Sequence, residues 1–154
     1  MNPQRIASTV RRQVPLLRDD EHVREAVARI VDAHVPALPV IDASGQLRGI
    51  FGEREFIGAL FPGYLQQLGS AGFVPRSLDD ALEQRAACAH RPVGDYMNTD
   101  HIDADEDFSD TQIAEIFLHH RVLIIPIVHN HQVTGIVTRT DFFHALTQRL
   151  LAVS

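Results

Sequence analysis

The sequence predicts an α/β protein of the α+β type, in which two pseudo-symmetric β-α-β-β-α repeats pack through their sheets and a helical connector joins them. Three observations predict this architecture. The apolar pattern of the chain occurs twice. Each copy passes from helical to strand periodicity in the same order. A chain of 154 residues with 45% hydrophobic residues can also bury the faces that two such halves would share.

The repeat is visible residue by residue. The segment A-V-A-R-I-V-D-A-H-V-P-A-L-P-V-I-D, which starts at Ala26, matches I-A-E-I-F-L-H-H-R-V-L-I-I-P-I-V-H, which starts at Ile113, at a constant offset of 87. After a turn that is one residue shorter in the second copy, G-Q-L-R-G-I-F-G-E-R-E-F continues against H-Q-V-T-G-I-V-T-R-T-D-F. Neither half has enough sheet to cover itself, so the two halves are expected to pack together.

Both copies contain the same order of predicted elements. Acidic residues precede the first helix of each copy, where negative charge favours the N-terminal end of the helix dipole. Connections of hairpin length, D-A-S-G and H-N-H, indicate antiparallel strand pairs. The segments I-A-S-T-V and V-G-D-Y-M are expected to add a short helical turn at the start of each copy. The predicted helices are residues 21–34, 53–60, 109–121 and 139–151, and the predicted strands are residues 15–17, 37–41, 47–51, 101–104, 124–128 and 132–137.

The resulting division is residues 1–60 for the first repeat, 61–92 for the connector and 93–154 for the second repeat. The connector has no counterpart after the second copy. Ser77 is a candidate N-cap for a helical pattern that follows it. Two interpretations of the connector stay open: it packs on the outside of the protein, or it forms an arm that binds a partner or a second copy.

The ordered motifs of the two copies resemble a known family. L-P-V-I-D-x-x-G-x-L-x-G-I in the first copy and I-P-I-V-x-x-x-x-V-x-G-I-V-T-x-x-D in the second are similar to the cystathionine β-synthase (CBS) domain. Two tandem copies resemble a CBS pair, or Bateman module, over residues 6–56 and 93–150. The resemblance implies a regulatory module without catalytic residues. It also implies a cleft for an adenine nucleotide (AMP, ADP or ATP) or for adenosylmethionine as regulatory ligand, and a homodimer.

Within this resemblance the segment G-I-V-T-R-T-D-F carries the expected ligand site. Thr138 would lie near phosphate or ribose, and Asp141 would bind the ribose hydroxyls. Arg139 is the candidate cation for phosphate because it lies in the first turn of the helix beside Thr138. The hydrophobic residues before and at the strand proline, together with one near the first strand of this copy, are the expected wall for the base: Leu123, Ile125, Pro126 and Ile102.

The same residues also have a purely structural interpretation. Thr138 and Asp141 have the spacing of a capping box, in which the N-cap hydroxyl and the N3 side chain each bond the other's backbone amide. The two interpretations differ in the direction of the Asp141 carboxylate. Residues of the apolar wall can equally be ordinary sheet core.

The first copy carries a weaker version of the site. Gly52 stands where Thr138 stands in the second copy and offers no hydroxyl, and Glu55 has a carboxylate one methylene farther from the backbone than that of Asp141. Leu38 is the matching wall residue. One competent cleft and one doubtful cleft are therefore expected.

Composition limits the other classes of function. A formal charge of −6 argues against a general nucleic-acid binder, and no apolar run is long enough for a membrane span. A single cysteine fits a reducing compartment, so a cytoplasmic location is expected. The pairs His119-His120 and His129-x-His131 lack the geometry of a metal site, and no catalytic motif is present. An interaction or dimerisation module with vestigial clefts, acting on a protein partner in trans, and a small metal-assisted enzyme are the alternatives.

Overall fold

The computed structural model describes residues 6–61 and 78–153. Short 3₁₀ turns at Ala86–His90 and Val93–Asp95 supplement the regular elements. The helices are α1 Ile6–Val10, α2 Val23–Ala33, α3 Glu53–Leu60, α4 Leu78–Arg85, α5 Asp110–His119 and α6 Arg139–Val153, and the strands are β1 Leu17–Arg18, β2 Ala37–Ile41, β3 Leu47–Gly52, β4 Ala104–Asp105, β5 Ile124–His129 and β6 Gln132–Thr138.

The strands form two three-stranded sheets with the same topology. In the order β1-β2-β3 and β4-β5-β6, the first pair of each sheet is parallel and the second pair is antiparallel. Pro39 faces Ile50 in the first hairpin, and Pro126 faces Ile136 in the second. The two repeats therefore share one register, and the predicted β-α-β-β-α architecture is confirmed.

Local sequence explains how several elements begin and end. Ser109 caps α5, since its Oγ accepts a hydrogen bond from the Gln112 amide at 3.1 Å. The left-handed residue His34 ends α2, with a φ of 55°. In the β5–β6 hairpin, Asn130 and His131 have φ values of 51° and 66°, as a two-residue type I′ turn requires. His131 thus has a conformational role in the turn.

The sheets pack against each other through alternate residues of β5 and β6. Ile124 and Ile136 are fully buried in the core of the first repeat, with Leu38 and Phe51. Ile125 and its neighbours on the opposite face belong to a second core around α5, α6 and α1. Both faces of the second sheet are thus covered at β5, whose first four residues are apolar and buried.

Each repeat sends a segment across to the other repeat's sheet. The Arg12 amide and carbonyl bond to Ile136 of β6 at 2.8 and 2.9 Å, and Asn98 makes the equivalent pair of bonds to Ile50 of β3. Gly135 lies beneath the first crossing, where an added Cβ would come within 2.8 Å of the Arg12 carbonyl oxygen. Helix α1 consequently packs in the second core, although it belongs to the first repeat in sequence. The boundaries 1–60, 61–92 and 93–154 stay a prediction.

The connector is helical where it is described. Helix α4 and the 3₁₀ turn that follows it lie beside α3, where Cys88 is buried with Ala59 and Leu60. The proposed N-cap Ser77 lies outside the described residues. Among the described helices, none is both long enough and apolar enough to cross a lipid bilayer.

Candidate functional site

The Thr138 turn joins strand β6 to helix α6. Thr138 is 97% buried, being only 3% exposed, and its Oγ1 accepts a hydrogen bond from the Asp141 amide at 3.0 Å. This bond is the first half of the capping box predicted from the sequence. The Asp141 carboxylate does not complete the box by returning to the Thr138 backbone amide. It turns instead toward the segment that crosses from the first repeat.

Asp141 forms a two-pronged ion pair with Arg12. The Arg12 Nε donates to Oδ2 at 2.6 Å, and Nη2 donates to Oδ1 at 2.9 Å. Hydrogen bonding from this guanidinium holds the pKa of Asp141 below its ordinary value, and the carboxylate in turn raises the pKa of Arg12. Because the paired form is the ionised one, Asp141 is a carboxylate at neutral pH.

Arg12 is the residue at this turn that sequence reasoning missed. It stands 129 residues from Asp141, between the first helical turn and the first strand. The basic pair Arg11-Arg12 beside a segment that matches in both repeats was the available signal. Spacing alone could not direct this side chain to Asp141, because the crossing brings together opposite ends of the chain.

A cleft opens between this turn and the first repeat. Its volume is about 400 Å³. The facing wall is formed by the end of α2, the residues that lead into β2 and the start of α3. The lining residues are Arg12, Thr138, Thr140 and Asp141 on one side and Ile30, Val31, His34, Val35, Pro36 and Glu53 on the other.

The predicted apolar wall lies elsewhere. Leu123 lines the opposite, smaller cleft, while Ile125 is fully buried in the second core. Pro126 is also buried, and Ile102 packs against the second core. The physical reason is the pseudo-symmetry: the strand-to-helix turn of one repeat faces the residues that lead into the middle strand of the other repeat. Val35 and Pro36 of the first repeat therefore stand where residues of the second were expected.

Arg139 is likewise outside the lining of the Thr138 cleft. Its backbone amide donates to the Leu123 carbonyl at 3.0 Å, and the residue is exposed. The matching bond in the first repeat joins the Glu53 amide to the Pro36 carbonyl at 2.9 Å, and Glu53 lines the Thr138 cleft. The crossed arrangement thus places an acidic residue of the first repeat where the predicted phosphate-binding cation was expected.

The second cleft is nearly closed. Its volume is about 30 Å³, which is room for about one or two water molecules. Arg54 spans it, donating from Nη1 to the Arg121 carbonyl at 2.5 Å. Burial raises the pKa of Glu55 there. Gly52 caps α3 without a side-chain bond, and Leu38 is fully buried in the core.

Within residues 6–61 and 78–153, no group of three or more His, Cys, Asp or Glu side chains is placed to hold a metal ion. The cleft thus offers hydroxyl, carboxylate, guanidinium and apolar contacts.

Comparison with known proteins now decides the family. The family model described as the CBS domain matches residues 6–62 and again residues 93–148. The chain belongs to the CBS-domain family. The two matched regions coincide with the two repeats, so the protein is a tandem CBS pair.

Relatives of this CBS pair support the same fold. The uncharacterized protein YlbB of Bacillus subtilis is 28% identical over 122 residues, which are 79% of this chain and 68% of that protein. A CBS-domain containing protein from Agrobacterium tumefaciens superposes with a TM-score of 0.68 at 23% identity, covering 92% of this chain and 90% of its own. The CBSX2 protein in complex with AMP gives a TM-score of 0.67 at 21% identity, covering 96% and 98%.

Proposed function

We propose that this CBS pair is a regulatory module that binds an adenine nucleotide or a related adenosyl ligand in the Thr138 cleft. One observation carries the proposal. The Asp141 carboxylate pairs with Arg12 instead of closing the capping box, and both residues line a space of about 400 Å³. That volume falls within the range of small-molecule sites, about 300–1,000 Å³. The solved structure of CBSX2 contains AMP, which agrees with the ligand class.

Each part of the cleft has a role in this proposal. A carboxylate has about four lone-pair sites, the Arg12 fork uses two of them and the Thr138 side chain a third, so Asp141 retains an acceptor for a ribose hydroxyl. Ile30, Val35 and Pro36 supply the apolar surface for a base. The N-terminal end of the 15-residue helix α6 adds positive potential beside Thr138.

Regulation follows from the position of the ligand between the repeats. A ligand changes the population of two arrangements only when it binds one of them better than the other. A ligand that touches both Asp141 and Pro36 bridges the second repeat and the first. Occupancy would therefore favour one relative placement of the repeats, which a protein partner acting in trans could recognise. We propose no catalytic role.

Isothermal titration with AMP, ADP, ATP and adenosylmethionine tests the proposal on three proteins. The wild type should bind at least one of these ligands, and Asp141→Ala should lose saturable binding. The matched control is Asp95→Ala, which removes an Arg–Asp pair of the same length, 2.6 Å, from the surface turn at Arg91. That control should bind as the wild type does. A folded Asp141→Ala protein with wild-type affinity would contradict the site.

Association with a second copy is the second candidate function. Four apolar side chains of α6 recur at helical spacing and are exposed: Phe143 by 59%, Leu146 by 41%, Leu150 by 67% and Val153 by 79%. Such spacing places them on one face of the helix. We propose that this face, here called the α6 stripe, contributes to a homodimer.

A further inference from the structure

Arg12 reaches the Thr138 cleft from a fixed backbone position. The backbone amide and carbonyl of Arg12 both bond to Ile136, and Gly135 permits the close approach of these two segments of the chain. The side chain extends from this fixed point to Asp141, where two short bonds hold it. The guanidinium is therefore placed before any ligand arrives, and little conformational freedom remains to be lost on binding.

The ion pair leaves part of the guanidinium available. Arginine carries five N–H donors, and the bonds to Asp141 use one on Nε and one on Nη2. Nη1 makes no hydrogen bond with any of the described residues. The Nη1–Nη2 edge is the edge that pairs with two oxygens of a phosphate in the two-pronged geometry typical of arginine.

Arg12 is the fixed positive charge in the lining of the cleft. Of the described residues that line it, Arg12 is the only lysine or arginine, whereas Asp141 and Glu53 are both acidic. Without Arg12, a ligand phosphate would meet two carboxylates and no fixed cation. With it, one phosphate has a partner, but each further phosphate would approach Glu53 without a second cation to balance it.

We propose that Arg12 is the specificity-determining residue of this cleft and that it selects a nucleoside monophosphate over the unphosphorylated nucleoside and over the triphosphate. The inference rests on the proposed function and names the ligand class of that same site. Asp141 binds the ribose and orients Arg12, and Arg12 binds the phosphate. The pseudo-symmetric position in the other cleft holds Asn98, which has no charge to offer.

Adenosine and AMP are the probes that separate these roles, because they share base and ribose and differ only in the phosphate. Dissociation constants for both are measured by titration calorimetry on the wild type and on Arg12→Gln. Loss of a charge-assisted bond should weaken AMP binding by about ten- to a hundredfold. Adenosine binding should change by no more than about threefold, because a neutral ligand gains nothing from the cation.

The control is Arg11→Gln, which removes the same charge one residue away. Arg11 pairs with Glu106 at 3.2 Å and does not line the cleft, so its loss should leave the AMP-to-adenosine ratio at the wild-type value. Should Arg12→Gln fail to fold, Arg12→Lys takes its place. That variant keeps a point charge but loses the planar fork, and it should lose part of the AMP affinity with adenosine unaffected.

Several outcomes would overturn the inference. An AMP-to-adenosine ratio that survives Arg12→Gln, or in its place Arg12→Lys, would show that Arg12 does not bind phosphate. Equal weakening of AMP and adenosine would show that Arg12 only positions Asp141. Tighter binding of ATP than of AMP would refute the monophosphate assignment while leaving the proposed function intact. Failure of the wild type to bind any of AMP, ADP, ATP and adenosylmethionine would overturn the proposed function itself.

Discussion

Replacement of Gly52 by alanine tests how closely the first hairpin packs where β3 joins α3. Gly52 occupies the position of Thr138, and its backbone is extended, with a φ of −164°, so any residue could adopt its conformation. Space is the obstacle. A Cβ on Gly52 would lie 2.3 Å from both the Pro36 carbonyl oxygen and the Ala37 Cβ, and 2.6 Å from the Ala37 Cα.

The size of the effect follows from these neighbours. None of the three atoms is the end of a flexible side chain, so either the backbone at Pro36 and Ala37 or the start of α3 must move. Overpacking of this kind costs about 1–3 kcal/mol, and a chain of this length loses about 2–4 °C of melting temperature per kcal/mol. Gly52→Ala should therefore melt about 2–12 °C below the wild type.

Thermal unfolding followed by circular dichroism measures this difference. Gly58→Ala is the matched control, since Gly58 lies within α3 and an added Cβ would meet no atom within 4 Å. Removing a glycine from a helix interior should raise stability by about 0.5–1 kcal/mol. The same substitution six positions apart should thus act in opposite directions. A Gly52→Ala protein as stable as the wild type would refute the argument that close packing against Pro36 and Ala37 requires a glycine here.

Two further predictions concern the small cleft and the α6 stripe. Burial raises the pKa of Glu55, so the ionised side chain opposes folding above that pKa. Glu55→Gln should therefore stabilise the protein against urea at neutral pH. This gain should vanish below about pH 4, where the glutamate is neutral in both the folded and the unfolded state. A gain of equal size at both pH values would contradict it. Leu150→Glu should shift the protein toward monomer in sedimentation experiments, whereas Gln148→Glu on the same helix should not. Equal association of the two variants would argue against the stripe as an interface.

The repeated elements were predictable because the same apolar pattern appears in both copies. The bounds of β2 and α3 agree with the sequence prediction residue for residue, and the other hairpin strands differ only at their ends. Each first strand is shorter and starts later than expected, at Leu17 and at Ala104. These strands pair in parallel over two residues, so their limits depend on tertiary contacts that no local pattern records.

The partners of the site could not be predicted in the same way. A strand's sequence shows that Leu123 and Ile125 are apolar, but not which repeat's turn they face. The crossing of residues 11–12 onto β6 determines that choice, and it joins positions more than 120 residues apart. Sequence alone identified Thr138 and Asp141 as neighbours on one turn because their relation is local.

The difference between the two clefts shows how one fold acquires one open site. Gly52 pairs with Ala37 just as Thr138 pairs with Ile124, so the two hairpins match and the difference lies in their side chains. The Thr138 hydroxyl accepts a hydrogen bond from the Asp141 amide, whereas Gly52 has no side chain to cap α3. Arg54 reaches across the smaller cleft to the Arg121 carbonyl. The crossing segments amplify this difference, since one brings Arg12 to a carboxylate while the other brings Asn98. Symmetry of the backbone therefore supplies two equivalent frames, and a few side chains leave only one of them open to a ligand.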